Sequence, residues 1–263
     1  MCRFALGCSL ALIFAACLHA QTFTTGPCKD DSRWGANEVH LCELRSTALP
    51  LRSGILSVLG KNGGIEVFGE SRQDIALEAE VVTQASTREE AHSLAREISI
   101  LTDGSIRAEG PASFSHRNWQ VNFRLHVPHQ LTAHLQTMNG GIALSELTGK
   151  IDAETINGSI HLQDLAGDVH ATTTNGGLNV TLAGDRWLGS GLSAITTNGG
   201  VSVKTPSIYS ARLAAETVHG GVSIGFPITV QGTIGNRIET NLGQGGAPIH
   251  FQTTNGNVSI TRN

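Results

Sequence analysis

The fold is decided by Thr155-Ile156-Asn157-Gly158-Ser159-Ile160-His161-Leu162 and the segment that repeats it, Thr173-Thr174-Asn175-Gly176-Gly177-Leu178-Asn179-Val180. In each, a strand-like run ends in Thr-x-Asn-Gly and two aliphatics then recur at a period of two, so a short strand with one buried face follows each turn. The pattern returns at Thr137-Met138-Asn139-Gly140, Thr196-Thr197-Asn198-Gly199, Thr217-Val218-His219-Gly220 and Thr253-Thr254-Asn255-Gly256, with an early copy at Asn62-Gly63-Gly64-Ile65-Glu66-Val67. Asn139, Asn157 and Asn175 are spaced 18 residues apart, and later intervals lengthen to 23 and 21. Constant corners with variable loops between them predict a stacked solenoid.

The apolar parity slips across each Asn-Gly, so a corner must absorb one residue. Asparagine and glycine both tolerate positive φ, and the corner is expected to use that tolerance at Asn157 and its equivalents. A second corner is expected at Leu147-Thr148-Gly149 and Leu165-Ala166-Gly167, so that each 18-residue unit makes one circuit of a β-helix. The same signals also describe an antiparallel meander with Asn-Gly at one edge. Threonine and small residues recurring at equivalent places favour the solenoid, because stacked rungs align identical side chains in columns. The expected column contains Thr137, Asn139, Thr155, Asn157, Thr173, Asn175, Thr196, Asn198, Thr217, His219, Thr253 and Asn255. Six such rungs at about 4.8 Å make a rod about 30 Å long. Upstream, Thr87-Arg88-Glu89-Glu90 is a capping box opening a helix over residues 87–98, which is expected to cap or cover the solenoid.

Arg3 followed by an apolar run and Leu18-His19-Ala20 has the form of a secretory signal peptide over residues 1–20. Cleavage after Ala20 is favoured over lipidation at Cys17, where Phe14-Ala15-Ala16-Cys17 is a loose lipobox. No later run reaches the roughly 20 apolar residues of a membrane-spanning helix. The expected localisation is therefore periplasm, outer cell surface or medium. Cys28 and Cys42 then remain as a pair in an oxidising compartment, and a disulfide between them is predicted. The expected organisation is a signal peptide (1–20), an N-terminal segment with the disulfide (21–50) and an all-β solenoid (51–263). The formal charge is only −4 and there is no basic block, so a nucleic-acid partner is not expected.

The signal peptide, the cysteine-containing N-terminal stretch, Asn62-Gly63-Gly64-Ile65-Glu66-Val67 and the successive T-x-N-G turns together resemble the bacterial "putative adhesin" domain family of unknown function. That family is similar to the head-GIN adhesin domains, which form β-solenoids. The resemblance covers about residues 42 to 263. It implies an architecture and a surface setting, and it supplies no catalytic residues.

β-Helices also host polysaccharide lyases and hydrolases, whose sites need converging carboxylates. Asp152, Glu154, Asp164 and Asp168 are spread over two rungs and read as a solvated face. Val218-His219-Gly220 lacks the acidic partners of a polygalacturonase site, and His219 is read as a turn substitute. His161 with His170, or His126 with His129, could pair as ligands, but each pair lacks a third. The Gly-Gly-x-Gly-x-Asp calcium repeat is missing, so no cofactor or metal is expected. Trp187 and Tyr209 lie in the two enlarged loops and are the candidate contacts for a surface glycan, an envelope protein or a second copy of the chain; the competing placement folds them back over the solenoid wall. The expected function is non-enzymatic binding at the cell envelope. The alternatives are a carbohydrate-active β-helix enzyme and an envelope-stress scaffold or sensor.

Overall fold

The computed structural model describes residues 22–28, 39–114, 116–229 and 235–263. The signal-peptide reading and Cys17 lie outside the described residues. The strands in chain order are β1 (Thr24–Pro27), β2 (Val39–Pro50), β3 (Ile55–Asn62), β4 (Ile65–Glu70), β5 (Asp74–Ala85), β6 (Ser99–Leu101), β7 (Ile106–Glu109) and β8 (Asn118–Pro128). The repeat then supplies β9 (Thr132–Asn139), β10 (Ile142–Ser145), β11 (Thr148–Asn157), β12 (Ile160–Gln163), β13 (Ala166–Asn175) and β14 (Leu178–Thr181). Its later turns give β15 (Gly191–Asn198), β16 (Val201–Thr205), β17 (Ala211–His219), β18 (Val222–Ile224), β19 (Arg237–Leu242), β20 (Pro248–Asn255) and β21 (Val258–Arg262).

Each rung is one strand in each of two facing sheets, joined by an Asn-Gly corner. The strands before the corners form one sheet, ordered β19-β17-β20-β15-β13-β11-β9-β3-β7-β6, and those after the corners lie in the other, ordered β1-β2-β5-β8-β4-β10-β12-β14-β16-β21-β18. The rungs pair in parallel without slippage: Ile151 stands beside Ala133 and Val169, and Ile160 beside Ile142 and Leu178. The parity change now has its reason. Thr155 before the corner and Ile160 after it both point into the space between the sheets, where both are buried. The predicted solenoid is the fold, with the early corner at Asn62 as a seventh member of the column, beside Asn139.

Among the rungs from β9 onward, spatial order departs from chain order at one place. The last rung in sequence, β20 with β21, is inserted between β15–β16 and β17–β18. Thr253 and Asn255 therefore sit between Thr196 and Asn198 on one side and Thr217 and His219 on the other. The position closing the column is His219, with β19 pairing antiparallel outside β17.

At the opposite end, β8 pairs in parallel with β4 and antiparallel with β5, which in turn pairs with β2 along twelve residues. Residues 39–50, expected in a separate N-terminal segment, are thus a full strand of the solenoid's own sheet. The helix α1 (Arg88–Glu97) begins at Thr87, whose hydroxyl accepts from the Glu90 N–H at 3.2 Å, as a capping box requires. It buries Ala91, Leu94 and Ala95. Arg45 from β2 donates to the carbonyls of Ala95 (2.7 Å) and Ile98 (2.6 Å), supplying the last turn with the cation its unpaired carbonyls favour. Cys28 and Cys42 form a disulfide, Cα atoms 5.6 Å apart, that ties the end of β1 to β2.

Candidate functional site

Three hydrogen bonds recur between neighbouring rungs at the corner. The buried Thr155 hydroxyl donates to Gly140 O at 2.8 Å, Thr173 to Gly158 O at 2.8 Å, Thr196 to Gly176 O at 2.8 Å and Thr253 to Gly199 O at 2.7 Å. Glycine N–H groups point the other way, as Gly140 N does to Asn157 O and Gly158 N to Asn175 O. Asparagine side chains close an exposed amide ladder, Nδ2 to Oδ1, through Asn62, Asn139, Asn157, Asn175, Asn198 and Asn255, at 2.8 to 2.9 Å.

The expectation of positive φ at these asparagines is corrected: none of them adopts it. Glycine follows asparagine because the rungs touch backbone to backbone. A Cβ on Gly158 would lie 2.0 Å from Gly140 O, and the same contact recurs at Gly176 against Gly158. The left-handed residues belong to the second corner, where Glu146 (φ 57°) and Asp164 (φ 53°) turn the chain back toward the other sheet.

Trp187 and Tyr209 are corrected as contact residues. Each is only 5% exposed, and the Trp187 indole N–H donates to Gly167 O at 3.0 Å. The enlarged loops fold these rings back over the wall because burying a large ring gains more than presenting it to water. His161 and His170 do not meet, since they stand on the outer faces of opposite sheets. His126 stacks on Phe68 and contacts Glu70, while His129 contacts Glu146 O. Asp152 pairs with His134 at 3.1 Å and Asp168 with His170 at 3.2 Å. Among the described residues, one group of three metal-type side chains falls within 4.8 Å, Cys28, Cys42 and Glu80, and its two sulfurs are joined to each other.

Sequence reasoning missed a cleft of about 490 Å³ on the outer face of the sheet containing β5 and β8, lined by Cys28, Leu44, Gly64, Glu66, Glu78, Glu80, Asn122, Phe123 and Arg124. Cross-strand register builds it: Arg124 stands beside Glu78 on one flank and Glu66 on the other, and Glu80 stands beside Asn122. Arg124 Nε donates to Glu66 at 2.8 Å, which raises the guanidinium's pKa more than partial burial lowers it. Asn122 donates to Glu80 at 2.8 Å and accepts from Gly64 N at 2.9 Å. Alternation in β5 marks Glu78 and Glu80 as outward, yet only the antiparallel pairing with β8 puts Arg124 and Asn122 next to them.

Residues 132–261 match the family model described as Toastrack DUF4097. Over these residues the chain is similar to the Toastrack family. The matched residues hold the later corners of the column, whereas every residue lining the cleft precedes residue 132, so the cleft belongs to strands outside the match. Among solved structures the chain is similar to a "putative cell adhesion protein" from Clostridium sporogenes, at 12% identity with 84% of this chain and 100% of that one covered and a TM-score of 0.43. A "putative adhesin" from Bacteroides fragilis is similar at 10% identity, with 84% and 97% covered and a TM-score of 0.38. A "putative lipid binding protein" from Parabacteroides distasonis follows at 9% identity, with 84% and 96% covered and a TM-score of 0.28. No curated protein matches the sequence.

Proposed function

We propose that this chain is an exported, non-enzymatic binding module of the cell envelope that holds a hydroxyl-rich surface polymer at the cleft on the outer face of β5 and β8. The cleft carries the reading. Its carboxylates accept hydrogen bonds, while the Arg124 guanidinium and Asn122 amide donate them, and the hydroxyls of a sugar chain do both. Among the described residues Glu78 takes part in none of the cleft's hydrogen bonds, which leaves its carboxylate for a ligand. Export is supported by the signal-peptide pattern before Gln21. Among the described residues no helix is long and apolar enough to cross a membrane, which is compatible with that setting.

The test is a glycan and envelope-fraction binding screen with the mature protein, run beside lyase and hydrolase assays. Wild type should bind without cleaving, and Glu78→Gln and Arg124→Gln should each weaken binding about tenfold, the loss of one charged hydrogen bond. Binding unchanged in both variants would remove the cleft from the account. Cleavage abolished by replacing Asp164 or Asp168 would replace the binding module with an enzyme.

A further inference from the structure

The six Asn-Gly pairs are, as chemistry, the sequence's most reactive peptide bonds. The glycine nitrogen can attack the asparagine side-chain carbonyl carbon, expelling ammonia and closing a succinimide. Water then opens the ring to aspartate or isoaspartate, so that one amide is exchanged for one carboxylate. Glycine speeds the attack because no side chain hinders its approach or restricts its φ. Burial does not protect these sites, since Asn139, Asn157, Asn175, Asn198 and Asn255 are all exposed.

The corner bonds remove both reactants instead. Each glycine N–H is committed to the carbonyl of the next rung: Gly63 to Asn139, Gly140 to Asn157, Gly158 to Asn175, Gly176 to Asn198, Gly199 to Asn255 and Gly256 to His219, at 2.8 to 3.0 Å. The asparagine amide is meanwhile held along the stack by its ladder partner, away from its own backbone. The column ends at His219-Gly220, and among the described residues no rung lies beyond it. Among the described residues nothing accepts from the Gly220 N–H, and this is the corner where the Thr-x-Asn-Gly pattern replaces asparagine with histidine.

We propose that the Asn-Gly corners are latent deamidation sites, silenced by the inter-rung hydrogen bonds, and that His219 closes the column with a residue that cannot cyclise. Deamidation at Asn139, Asn157, Asn175, Asn198 or Asn255 would put a carboxylate where the ladder needs an amide donor, so one opening event that permits the reaction would hinder reclosure of that corner.

The experiment is a peptide map by mass spectrometry after incubation at mildly alkaline pH, comparing folded wild type, urea-unfolded wild type and folded His219→Asn. The folded wild type should deamidate at its six Asn-Gly pairs at least about tenfold more slowly than the unfolded chain, because reaction must wait for local opening. In the variant, with a melting temperature matching wild type, residue 219 should deamidate at least about tenfold faster than the six inner sites of the same molecule. Inner sites reacting at the unfolded rate would overturn the proposal. So would a variant residue 219 as slow as its neighbours, since corner shape alone would then protect.

Discussion

Replacing Gly158 with alanine isolates the contact on which the stack depends. The added Cβ would lie 2.0 Å from Gly140 O, and real Cβ contacts essentially never fall under 3.0 Å, so the two rungs must part by at least about 1 Å at the corner. Three hydrogen bonds span that gap: Gly140 N to Asn157 O (2.9 Å), Thr155 Oγ1 to Gly140 O (2.8 Å) and Asn157 Nδ2 to Asn139 Oδ1 (2.8 Å). Lengthened by about 1 Å they pass beyond bonding range, at about 0.5–1.5 kcal/mol each, or roughly 2–4 kcal/mol together. Alanine recovers about 0.4–1 kcal/mol by restricting the unfolded chain. The net loss is about 1–3 kcal/mol, which for a chain of this size lowers the melting temperature by roughly 2–10 °C. Urea and thermal unfolding should be compared with Gly26→Ala, where the new Cβ meets nothing within 4 Å. A Gly158→Ala midpoint indistinguishable from that control would refute the backbone-to-backbone packing.

Thr173→Val removes a buried donor to Gly158 O and should cost about 1–2 kcal/mol in urea unfolding, whereas its exposed neighbour Thr174→Val should stay within about 0.5 kcal/mol of wild type. Trp187→Ala should cost about 3–5 kcal/mol while leaving ligand affinity of the folded fraction unchanged; lost affinity with unchanged stability would return Trp187 to the binding surface. Burial first, and the Asp185 charge second, push the Tyr209 phenol far above its ordinary range. The unfolded chain releases that proton near pH 10 while the folded chain retains it, so stability should fall as pH rises past about 10. Tyr209 is the only tyrosine, so an ultraviolet titration reports it alone, and a Tyr209→Phe variant with the same alkaline slope would contradict the assignment.

The sequence made the corners legible because inward threonine, outward asparagine and close-packed glycine each have a separate physical reason to recur at one place. It could not order the rungs. Parallel rungs offer nearly equivalent partners, and only the three-dimensional path leaves a slot beside β15 that β20 fills, ahead of β17. Why asparagine precedes glycine was read as a φ preference, yet it lies in amide pairing and backbone contact between residues 18 apart, as at Asn139 and Asn157. The cleft stayed hidden for a similar reason. Glu78 and Arg124 are distant in sequence and meet through an antiparallel register that no local pattern records. Trp187 and Tyr209 were drawn outward by their place in long loops, where position says nothing of the direction a ring faces.

Hydrogen bonds along the corner column weld the rungs into one stack. Native-state amide exchange read residue by residue at the corner glycines tests this most directly. Gly140, Gly158, Gly176, Gly199 and Gly256, although only half-buried, should exchange as slowly as the core strands and the buried Gly63, and Gly220, at the end of the column, should exchange much faster. Inner glycines exchanging as fast as Gly220 would contradict it.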